Sequence, residues 1–132
     1  EMTQVMPVVL SRDFQPAVLT TATEALFTVK IGWRVIACSV LPLSAGTAAS
    51  DSTISIGDGE GAASFCAAIT TTAALAPVGT LIDGGTAAYF ASSGGKLYLA
   101  DDTVDATFTQ GSTPTVAFPR MRVRITVVKE GW

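Results

Sequence analysis

The chain has 132 residues, the size of one domain that can bury a core without disulfide staples. A formal net charge of −3 argues against binding nucleic acid through its phosphates, and a mean hydropathy of +0.46 comes with no apolar run of the ~20 residues that a spanning helix needs. Only 14% of residues are charged, against roughly 25% in an ordinary soluble domain, and the balance is made up by 18 Thr, 20 Ala and 12 Gly, a mixture suited to strands and tight turns.

Segment 5–10 is apolar but carries Pro7, which has no N–H to give to a central ladder, so residues 1–15 read as an edge strand or an extended N-terminal arm. With its charges at the wrong end and Pro7 in the middle, 1–13 does not read as an export signal. Residues 16–132 read as one β-sandwich domain. Over 25–31, Leu26, Thr28 and Lys30 alternate with Phe27, Val29 and Ile31, so one face of a strand is core. After Gly32, segment 33–41 is a long strand with both faces largely covered: Trp33, Val35, Ala37, Ser39 and Leu41 on one side, Arg34, Ile36, Cys38 and Val40 on the other.

The Pro-, Ser-, Ala- and Gly-rich segment 42–51 reads as a loop. A short strand follows at 52–57, with Ile54 and Ile56 inward, and ends in the turn Gly57-Asp58-Gly59-Glu60-Gly61. Segment 64–69 returns along it, 70–76 is equally compatible with a strand or a helical turn, and Gly84-Gly85 and Gly94-Gly95 bracket a short strand at 86–91. Lys96 to Ala100 alternates, the acidic turn Asp101-Asp102 follows, and Val104, Ala106 and Phe108 come next, a pattern that predicts a hairpin. The longest strand lies within 115–128, with Met121, Val123, Ile125 and Val127 on one face and Arg120, Arg122, Arg124 and Thr126 on the other. Many short strands at this spacing predict an all-β fold, an antiparallel β-sandwich of jelly-roll type.

The chain has no histidine, so it lacks the commonest general base and the commonest metal ligand. Asp58, Glu60, Asp101, Asp102 and Asp105 could serve a carboxylate pair or a cation, but each sits where Asp and Glu suit turn geometry, and their spacing supplies no calcium ligand ladder. The expectation is therefore a non-enzymatic protein with no catalytic residues, cofactor or metal. Cys38 and Cys66 lie in apolar stretches and read as free buried thiols, with a disulfide between them as the alternative. Arg120, Arg122 and Arg124 are either a solvated outer face or a row that meets an acidic neighbour. The interface candidates are Val5, Met6, Pro7, Val8 and Arg12 of the first segment, these three arginines, and the terminal Trp132. A weakly charged surface and an edge strand that needs cover predict a homo-oligomer.

The Thr-Ile-Ser-Ile-Gly-Asp-Gly-Glu-Gly run from Thr53, the following Ser64-Phe65, the stretch from Lys96 to Asp101 leading to Ala106-Thr107-Phe108, and the closing Arg122-Val123-Arg124-Ile125 resemble the small jelly-roll decoration, or cement, proteins on the heads of tailed bacteriophages. The resemblance implies a homotrimer, made in the bacterial host cytoplasm and placed on the virion surface. There it would bind the major capsid protein, bridge neighbouring subunits and stabilise the shell, without nucleic acid or membrane as partner. The alternative is a phage tail, baseplate or carbohydrate-binding β-sandwich. Sugar sites favour carboxamides, however, and this chain has no Asn and only Gln4, Gln15 and Gln110.

Overall fold

The computed structural model describes residues 6–14, 22–44, 52–58, 64–70, 78–83, 95–110 and 120–129. Every regular element in them is a β-strand: β1 (Val8–Phe14), β2 (Ala22–Val29), β3 (Trp33–Pro42), β4 (Thr53–Gly57), β5 (Cys66–Thr70), β6 (Ile82–Asp83), β7 (Lys96–Leu97), β8 (Asp102–Thr109) and β9 (Met121–Lys129). The expected strands within 86–91 and the ambiguous segment 71–76 lie outside the described residues.

All pairings are antiparallel, and they nest: β1 with β9, β2 with β8, β3 with β6 and β7, β4 with β5. Two further pairings, β3 with β9 and β4 with β8, join the nested pairs into sheets. One sheet runs β1-β9-β3-β6, with β7 also on β3, and the other runs β2-β8-β4-β5. A long hairpin folded over on itself in this way is a jelly roll, the antiparallel sandwich expected from the sequence.

The core lies between the sheets. From β9 come Met121, Val123, Ile125 and Val127, from β8 Val104, Ala106 and Phe108, from β4 Ile54 and Ile56, all without exposed surface. Burying each of the large side chains contributes about 1.5–3 kcal/mol. In β2 and β3 simple alternation fails. Leu26 and Val29 are both buried although uninterrupted alternation would put them on opposite faces, because the β2–β8 register shifts between Ala25 and Phe27. Val35 joins Cys38 and Val40 in the core for the same reason, a register shift between Val35 and Ala37. Each irregularity inserts an extra residue and reverses the parity of the face that follows.

The hairpin expected over Lys96 to Phe108 does not form, since β7 belongs to one sheet and β8 to the other. Backbone bonds explain it. Tyr98 N–H donates to Trp33 O at 2.8 Å, Tyr98 O accepts from Gly32 N–H at 2.8 Å, and Asp101 Oδ1 accepts from Ile31 N–H at 2.8 Å, so segment 96–101 is held on the β2–β3 turn. That turn closes with Trp33 N–H on Lys30 O, and Gly32 takes φ 85°, which favours glycine. Gly95 also needs to be glycine: at φ 112°, a Cβ would collide with the Val35 carbonyl.

Candidate docking surface

The outward face of the β1-β9-β3 sheet carries the arginine row. Because Met121, Val123, Ile125 and Val127 point into the core, Arg122 and Arg124 must point out. The register sets their neighbours: Asp13 and Leu41 flank Arg122, while Ser11 and Ser39 flank Arg124. Arg120 precedes β9 and is exposed, its backbone N–H bonded to the Ser44 hydroxyl at 2.7 Å.

The four arginine candidates have different duties. Arg122 Nε donates to Asp13 Oδ1 at 2.9 Å, a cross-strand ion pair. This bond, supported by the charges of Arg122 and Arg120, holds the Asp13 carboxyl below its ordinary value, and in return the guanidinium is pushed up. Arg12 faces the gap between the sheets. Its Nη1 donates to Ala25 O and Leu26 O at 3.2 and 3.1 Å, and its Nη2 to Glu24 Oε1 at 3.4 Å. Since β1 and β2 are both edge strands, Arg12 clips one sheet edge to the other at the β2 irregularity and covers carbonyls that no strand pairs. Among the described residues, Arg124 and the Arg120 side chain hold no ion pair or hydrogen bond.

Met6, Pro7 and Val8 are exposed, as is Val9 behind them, so the start of the β1 edge is an apolar margin beside the arginine row. Val5 and Trp132 lie outside the described residues. Trp33 is half-buried against the core with Lys129 Nζ 4.7 Å above its ring.

Among the described residues, the candidate carboxylates do not converge. Asp58 is fully buried and paired with Lys96, Asp101 caps the β2–β3 turn, and Asp102 Oδ1 accepts from Thr103 N–H at 2.8 Å. Glu60 lies outside the described residues. On the outer face of the other sheet, Asp105 stands between Ala25 and Gly57, and its Oδ1 is out of solvent contact without a hydrogen-bond partner. No group of three potential metal ligands occurs among the described residues. Cys38 and Cys66 are free and buried, one in each sheet, and burial pushes the Cys66 thiol up to about 11 and Cys38 further. Asp13 and Lys96 were missed as partners. A lone Lys in an alternating strand was the only signal for Lys96, and for Asp13 there was none before the register was known.

A chain in the acidic stable capsid structure of Helicobacter pylori bacteriophage KHP30 superposes with a TM-score of 0.69 at 12% identity, over 98% of this chain and 95% of that one. The fold is one found in bacteriophage capsids. A chain of the cyanophage Pam1 capsid asymmetric unit matches with a TM-score of 0.59 at 15% identity, covering 94% of this chain and 84% of that one. No family model and no curated protein sequence matches the chain. At such identities the likeness is one of fold, and it extends over most of this chain and of each of the two matched chains.

Proposed function

We propose that this chain is a structural, non-enzymatic component of a bacteriophage head, made in the host cytoplasm and carried on the outer surface of the virion. There it binds the major capsid protein and stabilises the shell by bridging its subunits. The observation that carries this reading is the near end-to-end likeness to a capsid chain, with 95% of that chain covered. A sandwich whose described acids are spread through turns, strands and ion pairs agrees with a binding role. The weakly charged surface and the exposed β1 margin support association with further copies as a homotrimer.

The test is shell stability. Heads assembled with and without the chain are heated while DNA release is followed by dye fluorescence. Release at a higher temperature in the presence of the chain supports the reading, and identical release curves oppose it.

A further inference from the structure

The chain has 8 cations, and most of them are committed within the fold. Arg12 pairs with Glu24, Lys30 with Asp101, Lys96 with Asp58 and Arg122 with Asp13, while Lys129 lies over Trp33 and Arg34 is engaged as well. The exceptions are Arg120 and Arg124, on one outer face of one sheet. Arg120 stands one residue before β9 and Arg124 within it, on either side of Arg122.

Their surroundings fit contact with a partner. Ser11 and Ser39 beside Arg124 are small and uncharged, so a guanidinium standing between them is reachable from above. The acid across β3 from Arg124 is Asp83, two strand spacings or about 10 Å away. Arg122, fixed by Asp13, stands between the two and contributes little net charge. The face thus offers the guanidiniums of Arg120 and Arg124 on either side of the Arg122–Asp13 ion pair, Arg120 also acting on the Asp13 carboxylate, with the exposed Val9 on the same side.

We infer that this face, through Arg120 and Arg124 and not through Arg12 or Arg122, docks on a carboxylate-bearing protein surface of the shell. The partner is acidic by complementarity: an arginine fork matches a carboxylate in two-point geometry, and the pairing needs no counter-charge from this chain. A protein partner is favoured over phosphates because nucleic-acid binding relies on neutralising many phosphates, and two guanidiniums on a chain of net charge −3 neutralise few, whereas a local carboxylate pairing needs only those two. The inference rests on the reading of the chain as a capsid component.

Heads lacking the chain serve as the probe, and uptake is measured by sedimentation at about 50 and about 500 mM salt. The double variant Arg120→Ser/Arg124→Ser is compared with Asp13→Ser/Arg122→Ser, which removes the ion pair as a unit, and with Asp105→Asn, each shown by circular dichroism to be folded. Binding weakened about tenfold or more in the double variant, near-unaltered in the other two, and salt-sensitive only while Arg120 and Arg124 are present, is the expected result. If heads take up the unaltered chain and the double variant equally, the inference fails while the capsid reading stands. Heads that refuse the unaltered chain overturn both, and capture of the chain by double-stranded DNA with the same arginine dependence overturns the acidic-protein partner.

Discussion

Lys96 Nζ lies 2.6 Å from Asp58 Oδ2, a carboxylate with no exposed side-chain surface. Asp58 follows β4 in one sheet and Lys96 opens β7 in the other, so the pair ties the sheets together at one end of the sandwich. The Ser64 hydroxyl donates to the other carboxylate oxygen at 3.2 Å, and the lysine also stands 5.0 Å from the centre of the Tyr98 ring. Desolvating two charges is costly, and what keeps such a pair favourable is that their remaining hydrogen-bond capacity is met.

Asp58→Ala is expected to lower unfolding free energy by about 3–5 kcal/mol, since it strands the lysine charge among buried groups. The double change Asp58→Leu/Lys96→Met should recover most of that loss. Urea titration monitored by tryptophan fluorescence measures both, and equal stability of the single variant and the unaltered chain would show that the pair is not sequestered in solution.

Gly95→Ala forces a Cβ onto the Val35 carbonyl at a backbone angle that L side chains rarely adopt. A loss of at least about 2 kcal/mol is expected in the same titration. Because β7 pairs with β3 beside this contact, the damage should appear as faster amide exchange at Arg34 and Val35, the β3 residues paired with β7.

Asp105→Thr is expected to leave stability unchanged or raise it by about 0.5–1 kcal/mol. It removes an oxygen buried without a partner and matches the threonines at 103 and 107 on the same face of β8. A destabilised variant would mean that the carboxylate has a partner in the folded protein.

Stability should fall as the solution is acidified. Asp13, through its bond to Arg122, and Asp101, through the Ile31 N–H and then Lys30, are both held below the ordinary value of 3.8. The folded state therefore binds fewer protons than the unfolded chain just below that pH. These contributions are fully present above about pH 4 to 5 and are lost as pH falls through the lowered values. They are modest, because the two carboxylates are 43% and 52% exposed. In a denaturation series from about pH 6 to about pH 2.5, the gap between the unaltered chain and Asp13→Asn should close toward the acid end. A constant gap would contradict the pairing.

The thiols should be silent in the folded protein. With burial holding Cys38 and Cys66 well above the usual thiol range, an aromatic disulfide reagent at neutral pH should label neither until denaturant is added, when both react. Rapid labelling of the native chain would place at least one of them at the surface.

Composition and the alternation in β8 and β9 were enough to read the sandwich class, because a strand with one buried face writes its period directly into the sequence. Two shifts escaped that reading. An extra residue at Leu26 or Ile36 leaves composition unchanged yet reverses which side is core, and only the partner strand reveals it. The false hairpin at 96–108 had a similar origin, since local alternation cannot report that the Tyr98 backbone is committed to Trp33 and Gly32, some 65 residues earlier in the chain. The arginine row was visible as spacing. Its division into internal clips and uncommitted cations was not, because Asp13 is 109 residues from Arg122 and Glu24 is reached across the gap between sheets.

A reconstruction of the virion that carries this chain, by electron cryo-microscopy, tests the central claim most directly. The expected density is a two-layered jelly roll outside the shell, seated on the major capsid protein with the Arg120 and Arg124 face toward it and repeated by the symmetry of the head. A complete head with no such density, or the chain found only on the tail, would contradict it.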